Sequence, residues 1–240
     1  MSRKQKGILV LILACIIGIS VYFSQRMVVP DDFLSEQEIL AGLPLENLDK
    51  EIQDIIQIDE KTYFVPYIAD ENVYSTSIFK WLDGKWTNVS ESTWAGPLLL
   101  QADSEPYVFW NIHPGDNVEN WELYFLYSRD YSLSYPGSED EKTFYMPHIQ
   151  VSETISKGEE SYGYAPLPVE LKNTVEAVTT NPKSPPETLS FSMKYPLSWQ
   201  AHNSEGEAVI LEKTRQYGGG GRYGGDYVSM LNELIEEELE

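Results

Sequence analysis

KTYFVPYIADENVYSTSIFKWLDGKWTNVS, residues 61–90, decides the fold. Short runs of Tyr, Phe, Val, Ile and Trp alternate with turn residues, the pattern of half-buried strands. Residues 62–69 read as one strand and 75–82 as the next. Asp83-Gly84 marks a tight hairpin, because both positions tolerate the left-handed backbone such a turn needs, and 86–90 returns. The pattern continues outward at 98–101, 107–112, 121–128, 131–135 and 144–152, with loops at Pro114-Gly115-Asp116 and Pro136-Gly137-Ser138. Residues 61–152 are therefore an aromatic-rich antiparallel β region. Tyr63 and Ile68 recur as Tyr107 and Ile112 at a spacing of about 44 residues. Phe79, Leu82 and Trp86 recur as Tyr124, Tyr127 and Tyr131 one residue further on. Two such units cannot close a propeller, so the spacing favours a meander.

Upstream, residues 28–60 hold ten acids against Lys50 alone. Ser35 with Glu38 three residues on is a capping box. Leu48, Ile52, Ile55 and Ile56 recur at helical spacing, and the segment reads as an acidic helical stalk packed on the domain behind it. Downstream, residues 153–240 are mixed α/β. A helix is expected over 169–178, with Leu171, Val175 and Val178 on one face. Two strands around a turn fit 188–213. A glycine-rich loop covers 216–226, and a terminal helix follows with Asp226 as its cap and Tyr227, Met230, Leu231, Leu234 and Ile235 along one face.

At the amino end, residues 7–23 form an uncharged apolar stretch, preceded by Arg3, Lys4 and Lys6 and followed by Arg26. Seventeen helical residues rise about 25 Å, the short end of what a bilayer core requires. The basic flank predicts a signal-anchor with residues 1–6 cytoplasmic and the rest exported across the cell membrane. Cys15, in a Leu13-Ala14-Cys15 context, gives a lipoprotein signal as an alternative. The fold class expected is α+β: an N-terminal transmembrane helix, then a mainly antiparallel β-meander domain with flanking helices.

Charge and cysteine content narrow the function. Residues 28–240 carry all 38 acids but only 13 of the 17 bases, a formal charge of −25. Such a surface repels nucleic acid and anionic lipid and tolerates cations, basic partners and neutral sugars. The lone cysteine, Cys15, leaves the exported part without an internal disulfide. No metal or cofactor is implied. His113, His148 and His202 form no ligand spacing, although a contact between His113 and Asp116 is conceivable. Asp70-Glu71-Asn72 and the acidic run 138–141 lack the spacing of a calcium loop. Ser77 and Lys80 match S-x-x-K, but on a strand residues three apart face opposite sides. The glycine-rich loop lacks the Gly-Lys-Ser/Thr of a phosphate cradle. Asn88-Val89-Ser90 is a glycosylation sequon.

The string FSMKYPLSW, with Phe191, Tyr195, Pro196 and Trp199, resembles the opening strand and turn of PsbP-like envelope domains over about 25 residues. No function is carried from so local a likeness. The heavy aromatic load, six Trp and 16 Tyr, makes Trp81, Trp86, Trp94, Trp110 and Trp121 candidate surface residues for a binding face, against their use as core. The reading is a membrane-anchored extracytoplasmic module that binds an envelope protein or cell-wall polymer. An envelope hydrolase with a carboxylate site and an accessory subunit of a membrane complex are the alternatives.

Overall fold

The computed structural model describes residues 30–43, 48–93, 96–103, 105–127, 130–133, 143–146, 148–179, 197–217, 220–224 and 227–234. The expected anchor lies outside them. Among the described residues, no helix is long and apolar enough to cross a membrane.

The 61–90 stretch folds as its pattern demands. β3 (Thr62–Ala69), β4 (Val73–Leu82) and β5 (Lys85–Ser92) are successive antiparallel strands. Asp83 and Gly84 both adopt positive φ, 51° and 76°, and join Leu82 directly to Lys85. The register shift between Ile78 and Phe79 leaves Val89 as a bulge in β5. β1 (Lys50–Ile52) and β2 (Ile56–Asp59) pair with the two ends of β3. Pro66 falls where β3 changes partner. Its carbonyl accepts from Gln53 N at 3.0 Å, and its missing N–H breaks no ladder bond. β15 (Gly221–Tyr223) closes this first, six-stranded sheet on β5.

The second sheet runs β12 (Tyr162–Pro166), β7 (Pro106–Asn111), β6 (Leu98–Gln101), β16 (Val228–Met230). The third runs β11 (Ile149–Ser156), β8 (Asn120–Tyr127), β13 (Leu197–His202), β14 (Ala208–Val209). β17 (Asn232–Glu233) pairs in parallel with β13. β9 (Asp130–Leu133) and β10 (Thr143–Met146) form a separate hairpin. Three helices complete the described residues: α1 (Glu36–Gly42), α2 (Val169–Thr179) and α3 (Glu212–Tyr217), with a 3₁₀ turn at Pro114–Asp116.

The protein is thus mainly antiparallel sheet with few helices. The sheets are layered through three apolar clusters. Phe64, Ile78 and Val89 of the first sheet meet Leu98, Leu100, Phe109 and Val228 of the second. Leu99, Val108 and Trp110 of the second meet Trp121, Leu123, Phe125, Leu197 and Trp199 of the third, with Leu171, Val175 and Val178 of α2. On the far face of the first sheet, Ile39 and Leu43 of the α1 segment cover Val65, Tyr67, Ala69 and Phe79.

Three expectations change. The run at Leu48, Ile52, Ile55 and Ile56 is not a second helix: Ile52 ends β1 and Ile56 opens β2, with Leu48 and Ile55 just outside the two strands. Short apolar runs carry either period, and the open edge of β3 supplies backbone partners that an isolated turn of helix lacks. The terminal helix is likewise absent from the described residues: Tyr227 opens strand pairing, with Val228 to Met230 on Leu98 to Leu100 and Asn232 to Glu233 on β13. Asp226 and Ile235 lie outside the described residues. Finally, the 44-residue spacing repeats strand positions but not their pairing. β3 and β4 are a hairpin, whereas β7 and β8 belong to different sheets, so the domain is three stacked sheets rather than one meander.

Candidate binding surface

Among the described residues, four tryptophans, Trp81, Trp110, Trp121 and Trp199, are core rather than surface. Trp81 and Trp110 are almost fully buried and Trp121 wholly so. Trp110, Trp121 and Trp199 form a row in the core between the second and third sheets, with ring centroids 6.0 and 5.5 Å apart, and Trp199 Nε1 donates to Leu231 O at 3.2 Å. Strand alternation turns each indole inward, where its large apolar area gains most from leaving water. Trp86 is half-buried. It meets Phe33, Tyr63 and Trp81 edge-on, and its Nε1 lies within 3.2 Å of the carbonyl oxygens of Asp31 and Asp32. Phe33 stacks on Tyr63 at 3.8 Å. This ties the segment entering α1 to the first sheet. Trp94 lies outside the described residues. Of the FSMKYPLSW motif, Trp199 is described and is core.

Among the described residues, the one exposed aromatic is a tyrosine, Tyr164 on β12. Gly163 and Ala165 face the third sheet, and Gly163 lies where a Cβ would sit 2.6 Å from Trp110 Cζ2. Tyr162 and Tyr164 take the opposite side. Tyr162 packs against the cluster shared with the first sheet, whereas Tyr164 is 42% exposed. The Tyr164 ring lies 6.0 Å from that of half-buried Tyr107 on β7. Acids close both ends of this row. Tyr107 Oη donates to Glu105 Oε1 at 3.1 Å and Tyr162 Oη to Asp54 Oδ2 at 3.4 Å. Burial, followed by the charges of Asp54 and Glu160, raises the Tyr162 hydroxyl above its ordinary pKa. Exposed Ile55 adjoins Asp54 in the chain.

β12 is an edge strand among the described residues. Ile112 N donates to Ser161 O and Leu167 N to Pro106 O, both at 2.9 Å. Residues 161, 163, 165 and 167 therefore direct their backbone groups at β7, while 162, 164 and 166 direct theirs outward. Pro166 has no N–H to offer there, which blunts the edge. Just inboard, buried Asn111 rivets the first two sheets. Its Nδ2 donates to Gln53 Oε1 and Ser75 O, each at 2.7 Å, and to Tyr67 O at 3.2 Å, and its Oδ1 accepts from Ser161 Oγ at 3.1 Å.

Other candidates resolve into structure. His113 Nδ1 accepts from Gly115 N at 2.9 Å rather than meeting Asp116. Asp116 is buried and caps α3 from afar, accepting from Lys213 N at 2.8 Å and from Thr214 N at 3.0 Å. Ser77 and Lys80 sit on opposite faces of β4. Lys80 is buried and donates to Thr62 Oγ1 at 3.1 Å and Asp103 Oδ1 at 3.3 Å. His202 Nε2 lies 3.2 Å from Glu122 Oε2 across two strands of the third sheet. His148 is exposed. Both side-chain polar atoms of Asn88 are buried, which closes the sequon to modification in the folded chain. Asp70 and Glu71 form the β3–β4 turn at positive φ. Within the glycine-rich segment, Gly224 sits opposite the Val89 bulge, where a Cβ would come 2.1 Å from Val89 O. Its glycine serves close backbone packing, a role that composition alone does not reveal. Among the described residues, no group of three or more His, Cys, Asp or Glu is placed to hold a metal ion. The acidic run 138–141 lies outside the described residues.

Comparison with protein-family models, with curated proteins and with solved structures finds no match to this chain.

Proposed function

We propose that this chain is a membrane-anchored extracytoplasmic binding module of the cell envelope, and that its contact surface is the tyrosine ledge of β12 and β7. The observation that carries this reading is the row Tyr162–Tyr164–Tyr107, held by backbone pairing at an edge strand and flanked by Asp54 and Glu105. Tyrosine supplies large, rigid contact area at low entropic cost, with a polar end that selects orientation. The anchoring half rests on the apolar stretch 7–23 with its basic flank. The occupant on this reading is a protein partner or a cell-wall polymer.

The test uses the native chain in its own membranes. Crosslinked material is recovered with wild type and with Tyr164→Ala, and the captured neighbours are compared. Loss of one specific neighbour with Tyr164→Ala supports the ledge. Identical capture by the two would overturn it. Protease added to intact cells should digest the portion after residue 30; a protected carboxyl portion would overturn the topology.

A further inference from the structure

We infer that the open edge of β11 pairs with β11 of a second copy of this chain, antiparallel about a twofold axis at Ser152. The pairing is independent of the ledge. Among the described residues, β8 is the one strand that pairs with β11. Lys157 N donates to Glu119 O at 2.9 Å, which points residue 157 at β8. By alternation 149, 151, 153 and 155 direct their backbone groups at β8, while 150, 152, 154 and 156 direct theirs outward. Other edges among the described residues are blunted or short: β12 carries Pro166, and β1, β14, β15 and β16 have three residues or fewer. β11 runs eight residues with no Pro and no Gly. Its residues with outward backbone groups, Gln150, Ser152, Thr154 and Ser156, are exposed and uncharged. A long edge without a blunting device is a template for another strand.

Register selects a second copy as the occupant. Hydrogen-bonded pairs across the new edge must set outward residues against outward residues, so the axis falls on a residue and not between two. Two such axes pair most of the strand, one covering 149–155 and the other 150–156. The second lies at Glu153 and sets that carboxylate against itself, which is unfavourable. The first lies at Ser152. It sets Ser152 on Ser152, Gln150 on Thr154, Val151 on Glu153 and Ile149 on Ile155. Small polar side chains then meet on the exposed face. On the other face Ile149, Val151 and Ile155 are half-buried against the cluster shared with α2. Pairing brings Ile149 of each copy to Ile155 of the other and removes more of their surface from water. In a chain of 38 acids and 17 bases, this edge offers little charge to select a basic partner and only Glu153 to repel its own kind.

The experiment uses the full chain in mild detergent at moderate salt, with Cys15→Ser as the background for added thiols. In Ser152→Cys the new thiol faces its own copy across the axis at a Cα separation of about 5.5 Å, within disulfide reach. Mild oxidation is expected to link Ser152→Cys into a covalent dimer. Gln150→Cys or Thr154→Cys alone should link no better than the exposed control Glu36→Cys, and the two mixed should give a heterodimer. Ser152→Pro removes the outward N–H at the axis and leaves the ladder to β8 intact. By sedimentation it should raise the dissociation constant of the dimer at least about fivefold, whereas Tyr164→Ala should leave it unchanged. Should Ser152→Pro fail to fold by circular dichroism, Ser152→Lys takes its place, since it sets like charges face to face and should cause the same loss. A wild type that stays monomeric, a Ser152→Cys chain that links no better than Glu36→Cys, or a dimer that the folded Ser152 variant does not weaken would each overturn the inference. None of these outcomes bears on capture at Tyr164, so the ledge stands or falls by its own test.

Discussion

Gly163→Ala tests how β12 is held. Gly163 pairs with Trp110 across β12 and β7, and an added Cβ would stand 2.6 Å from Cζ2, 2.8 Å from Cε2 and 3.1 Å from Nε1 of that indole. Trp110 is 2% exposed and packs against Trp121, so the ring cannot swing clear. Overpacking of this kind costs about 1–3 kcal/mol. Against it stands a gain of roughly 0.4–1 kcal/mol, because alanine loses less chain entropy than glycine on folding; Gly163 is not among the glycines at positive φ. The net expectation is a loss of up to about 2.6 kcal/mol, which for a domain this size lowers Tm by up to roughly 10 °C. The Trp110→Leu background removes the three atoms that collide. There Gly163→Ala should become neutral or stabilising, a reversal of sign that a cavity or a general strand effect would not produce. Thermal and urea unfolding followed by circular dichroism of the four chains measures it. Equal destabilisation in both backgrounds would refute the claim that glycine is kept there for the indole.

Three other perturbations follow from the same geometry. Asn111→Ala strands the carbonyls of Tyr67 and Ser75 and the side chains of Gln53 and Ser161, and should cost about 2–4 kcal/mol by urea unfolding; a loss below about 1 kcal/mol would mean water replaces the amide at no cost. Phe33→Ala should release the segment from Asp31 to Gly42, raising amide exchange at Ile39 by about tenfold or more while β8 and β13 stay protected, and uniform exchange changes would argue against a separable strap. The wholly buried Tyr67 hydroxyl is pushed up to about 12, chiefly by burial with a smaller contribution from Glu91, and Tyr124 is raised by burial and by Glu122. Both favour the protonated folded state, so their contribution is complete below about pH 10 and is lost as pH rises towards 12. A rise to about 12 on Tyr67 alone corresponds to roughly 3 kcal/mol. Unfolding on titration should therefore be steep over pH 10–12 and should soften in Tyr67→Phe.

The strands were legible where one face was buried and turns were chemically marked. β3 and β6 match the sequence reading residue for residue, and Asp83-Gly84 makes its turn with the expected backbone. The capping box at Ser35 and Glu38 is present, with Glu38 Oε2 2.8 Å from Ser35 N and the Glu38 carboxyl held below its usual range by Ser35. The α2 stripe also holds, since Leu171, Val175 and Val178 are all buried. What failed was pattern without partner. Met230 and Leu231 fit a helical stripe as well as a strand, and the open edge of β6 decided between them. The ledge was missed for a related reason. Tryptophan number drew attention to the residues that strand parity buries, while Tyr162 and Tyr164 are distinguished only by lying outward of Gly163 on an edge strand. A glycine between two tyrosines, followed by a proline, was the available signal.

The strap gives the proposed topology a geometric consequence. Between Phe23, the last residue of the apolar stretch proposed as an anchor, and Asp31, whose carbonyl meets Trp86 Nε1, lie eight residue steps, at most about 29 Å of extended chain. The Phe33 aromatic cluster then fixes the chain to one face of the first sheet, against Tyr63, Phe79 and Trp86. An anchored domain held this way cannot roam on a long linker. The face under the strap is already occupied, and the apolar cluster beneath Tyr162 lies on the other face of that sheet. On the proposed anchoring, the tether and the ledge therefore use opposite faces of one sheet. Occupying the ledge need not displace the strap, and a partner would meet it at a height above the bilayer set by eight residues rather than by diffusion of a flexible stalk.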